Sequence, residues 1–215
     1  MADWVTISSL ATAGGTLVLA VATFGSTKSA NRSARVAERA LLAGMRPILV
    51  PSTDDDPVER VGFAEDHWVM VAGHGAAAEF WNGNVYMAIG LRNGGAGLAI
   101  LHGWRVDVRD GPAPQVPPEL GEFTVQNRDL YIPAGGSGYW QGALRDHGDP
   151  MYDRLVNGVS DGSTLIVDLL YGDYEGGQRT IARFAVRPPE NGARRADVVR
   201  YWNVDGEDPR SRDAL

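Results

Sequence analysis

Along the chain the spacing of apolar and polar residues changes character twice. From Trp4 to Thr27 there is no ionisable side chain, and Val5, Ile7, Leu10, Leu17, Val18, Leu19, Val21 and Phe24 surround a helix instead of marking one stripe. At about 1.5 Å per residue, a helix over Val5 to Gly25 is about 30 Å long, the thickness of a bilayer's hydrocarbon. Lys28, Arg32, Arg35 and Arg39 follow at spacings of 4, 3 and 4, so a continuing helix carries four cations on one face. Gly44 and Pro47 then end the helix.

Beyond Pro47 the period falls from that of a helix to two. Val85, Met87, Ile89 and Leu91 alternate with Tyr86, Ala88, Gly90 and Arg92, and Leu98, Ile100, His102, Trp104, Val106 and Val108 alternate with Ala99 to Arg109. That is the signature of half-buried strands. Shorter runs of the same kind are PILV, HWVMVAG, AAEFW, FTV, DLYIPA, GYWQGAL, STLIVDLLY, QRTIARFAV and VVRYW. Asn82-Gly83 has the chemistry of a two-residue hairpin turn, because both residues tolerate positive φ. One helix is expected among the strands, with Asp149 at its N-cap, Pro150 in its first turn and Asn157-Gly158 at its end.

Many short strands without βαβ alternation predict an antiparallel sandwich or barrel. The expected organisation is an N-terminal segment with a transmembrane helix over 1–27 and a basic amphipathic stalk helix over 28–46. A β-sandwich domain over 47–204 and a charged tail over 205–215 complete it. STDDDPVER reads as a solvated loop and DGEDPRSRDAL as a frayed terminus.

Charge adds an orientation. All basic side chains of the first 46 residues lie after the apolar stretch, from Lys28 to Arg46, and positive residues stay inside. The expected topology is an outside N-terminus, a single plasma-membrane span and a cytoplasmic body, with Trp4 at one interface and Lys28, Arg32, Arg35 and Arg39 at the other. Asp3, and no cation, in MADW argues against a secretory signal peptide. The Thr, Ser and Gly content of the stretch leaves a buried soluble helix as the remaining alternative. Residues 47 to 215 hold 15 arginines against 25 acidic residues, a net charge of −10. Such a body repels phosphate backbones and argues against a nucleic-acid partner.

LRNGGAGLAILHGW carries an N-x-G-x-G-x-A pattern at Asn93, Gly95, Gly97 and Ala99. With the span, SANRSARVAERALLAGMRPILVPS, DLYIPAGGSGYWQGAL and DLLYGDYEGGQRT, the layout resembles uncharacterised single-pass membrane proteins of high-GC Gram-positive bacteria. The resemblance implies an immunoglobulin-like sandwich on a membrane stalk, with Asn93, Gly95, Gly97 and Ala99 as a structural turn. It implies no activity.

The chain has no cysteine, which removes disulfides, thiolate nucleophiles and Cys-based metal sites. GVSDG spells a hydrolase elbow around Ser160, but a helix precedes it and a strand follows, the reverse of the order that chemistry needs. GHGAAA, Gly73 to Ala78, leaves too few residues before Asn82-Gly83 for the crossover helix of a dinucleotide fold. His67, His74, His102 and His147 form no closely spaced ligand pair, and Trp68, Trp81, Trp104 and Trp140 are expected in the core. The expectation is therefore a non-enzymatic membrane-anchored interaction or assembly module with no cofactor and no metal. The alternatives are a membrane-tethered sensor of an unspecified small ligand and an enzyme built from scattered loop residues. Expected partners are the bilayer and a protein or a second copy. Self-association would use the small-residue stripe Ser9, Ala13, Thr16, Ala20, Thr23, Thr27, Ala30, Ala34, Ala37, Leu41.

Overall fold

The structure, a computed structural model, describes the backbone of residues 4–206 and, apart from residues 4–13, Val18 and Arg39, their side chains. Two compact units divide it, Met1–Gly44 and Met45–Leu215. The first is one helix, α1 (Trp4–Gly44), running unbroken through the apolar and basic stretches. Among the described residues no helix is long and apolar enough to cross a membrane. The side chains of Val5, Ile7, Leu10 and Val18, on which the expected span leans, lie outside the described residues, as do those of Trp4 and Arg39. Within α1 the Thr23 hydroxyl donates to the Leu19 carbonyl at 2.7 Å and the Thr27 hydroxyl to the Thr23 carbonyl at 2.8 Å.

The second unit is mainly antiparallel β-structure. Its strands are β1 (Leu49–Pro51), β2 (Glu59–Gly62), β3 (Trp68–Val71), β4 (Gly75–Trp81), β5 (Asn84–Asn93) and β6 (Ala99–Arg109). After them come β7 (Thr124–Val125), β8 (Tyr131–Ile132), β9 (Ser137–Leu144), helix α2 (Tyr152–Ser160), β10 (Thr164–Gly172), β11 (Thr180–Val186) and β12 (Arg194–Asn203). In one layer β5 pairs with β9 along one edge and with β4 and β1 along the other. In the other layer the order is β12, β11, β10, β6, with β7 and β8 sharing the outer edge of β6. Asn82 and Gly83 turn β4 into β5 with φ of 47° and 79°, the positive values that their side chains permit.

The layers close over Met87, Ile89 and Trp140 on one side and Trp104, Val167 and Phe184 on the other. A second, smaller cluster explains why β5 is buried on both faces. The β2–β3 hairpin, whose first two residues fall in the expected solvated loop STDDDPVER and whose second strand falls in the expected run HWVMVAG, lays Val61, Phe63, Val69 and Val71 against Tyr86 and Ala88. Strict in-and-out alternation therefore holds for the pleat of β5 but not for its burial.

In β6 the expected alternation changes phase. Leu101 lies opposite Tyr171 and Gly103 opposite Leu170, so His102 is an extra residue, a bulge. Ala99 and Leu101 face the core before it, Trp104 and Val106 after it, and Ile100 and His102 leave the face the sequence had given them. Two tryptophans are also displaced from expectation: Trp104 and Trp140 are core, whereas Trp68 is 50% and Trp81 43% exposed. Trp68 sits on the outer face of the two-stranded β2–β3 sheet, which pairs with no other strand among the described residues. Helix α2 runs past Asn157-Gly158 to Ser160, because Gly158 packs against Val108, where a methyl group would lie 2.5 Å from Cγ1.

Candidate functional site

The segment that follows Gly44 is seated in a socket built by the N-x-G-x-G pattern. The Asn93 side chain is fully buried and fully used: its amide donates to the carbonyls of Gly97 at 2.7 Å and Ile132 at 3.0 Å. Its oxygen accepts the N–H groups of Ile48 at 3.1 Å and Gly95 at 2.9 Å. Gly95 and Gly97 are bare because the backbone of Met45, Arg46 and Pro47 crosses directly over them, where a Cβ would collide with the Arg46 and Met45 carbonyls. Ala99 continues into the buried start of β6. On the far side Tyr171 Oη accepts the Leu49 N–H at 3.3 Å, and Tyr201 Oη donates to the Leu49 carbonyl at 2.6 Å. Burial pushes the Tyr171 hydroxyl up to about 12 and Tyr201 upward as well, so both stay protonated. Of the expected interface cations, Lys28, Arg32 and Arg35 are exposed on α1.

A groove of about 610 Å3 opens along the side of the sandwich, between the β2–β3 hairpin, β9 and the segment after β7. Its charged walls are Arg60, Arg128 and Arg145, with no carboxylate among the lining residues. Arg60 lies over the Trp68 ring at 4.2 Å, Arg128 reaches the Gly62 carbonyl at 3.4 Å, and Arg145 grips Glu65 with two hydrogen bonds. The Arg145 guanidinium holds the Glu65 carboxyl down to about 2. Among the described residues β9 pairs with β5 alone. Gln126 Nε2 donates to the Gln141 carbonyl at 3.2 Å, so that carbonyl points away from β5. The two-residue period then turns the N–H and C=O groups of Tyr139, Gln141 and Ala143 to the free edge. The amide oxygens of Gln126 and Gln141 are buried without a hydrogen-bond partner.

A second polar cluster, which the sequence reading missed, lies on the outer face of the other layer. Asp168 is held by Arg183 and by Arg105, whose Nε also meets Glu122 at 2.9 Å. Arg183 continues to the Pro114 carbonyl and packs 4.8 Å from the Trp202 ring, so the 110–123 segment closes over it. Arg194 is likewise buried and donates to the carbonyls of Ser163 and Val159 at the end of α2, where a cation complements the helix terminus. Only the register of the folded strands brings these residues together. The sole signal in the sequence is an isolated charge in each of the apolar runs TLIVDLLY and IARFAV.

The sequence-level candidates for chemistry do not converge. Ser160 Oγ donates to the Val156 carbonyl at 2.8 Å, an internal helix bond, and Gly73 to Ala78 runs into strand β4 with no crossover helix. His67 stacks on Trp81 at 4.7 Å and reaches Glu79 at 3.3 Å, and His74 lies 3.6 Å from Asp197. His147 touches the Gly83 carbonyl at 2.9 Å. Among the described residues no three of His, Asp and Glu gather as a cation site. The DGEDPRSRDAL segment is anchored at its start, since Asp205 accepts from both the backbone N–H and the guanidinium of Arg179. Residues 207–215 lie outside the described residues.

No family model and no curated protein matches the chain. Among solved structures, a protein from Archaeoglobus fulgidus is similar over 60% of this chain and 93% of its own, with 9% sequence identity and a TM-score of 0.24. A likeness at that score defines neither fold family nor function.

Proposed function

We propose that the protein is a single-pass, membrane-anchored interaction or assembly module without catalytic activity, its N-terminus outside and its body in the cytoplasm. The observation that carries the interaction reading is the apolar surface left open on the outer face of the β2–β3 hairpin. Trp68 and Met70, two positions apart on β3, are 50% and 61% exposed there, while Val69 and Val71 on the opposite face are packed. Isolated exposed hydrophobics are ordinary, but two large ones side by side on one strand face fit a surface that a partner covers. The immunoglobulin-like reading is supported by antiparallel pairing throughout, β9–β5–β4 on one side and β6–β10–β11–β12 on the other, the two joined where Arg194 and Arg195 of β12 pair with Ala76 and Gly75 of β4.

Anchoring rests on the apolar, uncharged first half of α1 and on the cations that follow it. The Thr23 and Thr27 hydroxyls bond to the helix's own carbonyls, which lowers the cost of carrying them into lipid. A reporter placed after Leu215 is expected to show cytoplasmic behaviour, and protease outside intact cells to spare the body. Proximity labelling in the native host, compared with the helix alone, is expected to mark partners that depend on the body. Digestion from outside overturns the localisation, and identical labelling with and without the body overturns the interaction reading.

The membrane-tethered sensor is a second reading, favoured by the volume of the groove beside β9, which falls within the usual range for ligand pockets.

A further inference from the structure

The geometry points to the free edge of β9 as the docking site of an extended, acidic segment of a partner protein, added as a strand. This rests on the interaction-module reading and names the surface and the chemistry of its partner.

Three independent features meet at this edge. The first is backbone: Tyr139, Gln141 and Ala143 present N–H and C=O groups to a side on which no described strand lies. An added strand satisfies such groups by the same ladder that β5 makes on the other side. The second is the Gln126 side chain. Its amide sits where the amide of an added strand would lie, bonded to the Gln141 carbonyl, and leaves its own oxygen buried and unpartnered. A peptide replaces this stand-in with a backbone N–H of its own on the Gln141 carbonyl. The third is charge: the groove gathers three arginines and no carboxylate in a body whose net charge is −10. Arg145 already has Glu65, while Arg60 and Arg128 have no carboxylate partner among the described residues.

The alternation of the added strand gives the partner a pattern. Side chains on the hairpin side meet Arg60, Arg128 and Trp68, and those on the other side meet the rim formed by Trp104 and Val125. Acidic residues at every second position, with apolar residues between them, match both walls. Nucleic acid, the other polyanion such arginines would attract, has no alternating N–H and C=O ladder to pair with the β9 edge.

The test uses the full chain in lipid nanodiscs and a displayed library of random peptides as long as β9, eight residues. Enriched peptides are expected to carry Asp or Glu at alternate positions. Ala143→Pro removes one edge N–H without touching the β5 side, and it should weaken the best peptide by about tenfold or more while circular dichroism stays unchanged. Arg60→Glu with Arg128→Glu, both on exposed side chains, should reverse the preference to Lys or Arg at those positions and so keeps the test informative if the proline variant fails to fold. No enrichment over empty nanodiscs, peptides without alternate acids, or binding indifferent to the charge reversal overturns the proposal. If partners are labelled in cells but the peptides fail, this site is wrong and the module reading stands. If nothing body-dependent is labelled, the module reading itself falls.

Discussion

Arg183 clasps Asp168 through a pair of hydrogen bonds, Nε to Oδ1 at 2.6 Å and Nη2 to Oδ2 at 2.9 Å, with both side chains almost fully removed from water. Such a pair adds little over an apolar replacement, but it is costly to break from one side. Asp168→Asn leaves the guanidinium buried without its counter-charge and is expected to cost about 3–5 kcal/mol in equilibrium unfolding. The double change Asp168→Leu with Arg183→Met should cost distinctly less.

The glycines of the Asn93 motif make a sharper test of the socket. Gly97→Ala places a methyl group on the Met45 carbonyl, and backbone cannot swing aside as a side chain does. The expected loss is about 2–3 kcal/mol, at the upper end for overpacking, against almost nothing for Gly94→Ala, whose nearest neighbour is the Ile48 carbonyl at 3.9 Å. A chain beginning at Met45 is expected to fold alone, rich in β-structure, and to unfold at higher denaturant than one beginning at Leu49. The difference measures what Met45 to Ile48 contribute.

Trp104 and Trp68 separate core from surface. Trp104, packed edge-on to Trp140 at 5.7 Å, should cost about 3–5 kcal/mol on truncation to Ala. Trp68→Ala, losing an exposed contact with Arg60, should cost no more than about 1 kcal/mol. Thermal or denaturant melts of the two variants settle the order.

His102 sets a pH dependence. Burial, followed by the nearby Arg179 charge, lowers its imidazole below the ordinary 6.5, against the opposing pull of Asp173. As pH falls the unfolded chain takes up the proton first, so stability is complete above 6.5 and declines below it. His102→Gln should flatten that decline in denaturant midpoints measured across the same range.

Which of these features the sequence disclosed follows from the range of the interactions involved. Period-two runs located β5, β6, β9 and β10, because alternation is local and the pleat enforces it. The Asn82-Gly83 turn was legible for the same reason. The bulge at His102 was not, since an extra residue is defined only against the partner strand, and a bulge leaves the apolar count unchanged. Trp68 and Trp81 were misplaced because their type speaks for burial, whereas the open outer face of the β2–β3 hairpin and the position of Trp81 at the very end of β4 are properties of topology. The Asn93 pattern was visible as a turn, but what its glycines accommodate was not: the Met45 backbone, 52 residues before Gly97, meets it only in the folded body. Of the groove, the sequence showed Trp68 and a strand near Tyr139, while the company of Arg60, Arg128 and Arg145 depends on three separate segments.

The seating of Leu49 has a mechanical consequence. Any tension applied through α1 reaches the body at Met45, and there it meets hydrogen bonds from Asn93, Tyr171 and Tyr201 within the first residues, before the β1–β5 ladder is loaded. These bonds engage Ile48 and Leu49 from separate strands and must yield together, so the attachment point resists peeling as a riveted joint does.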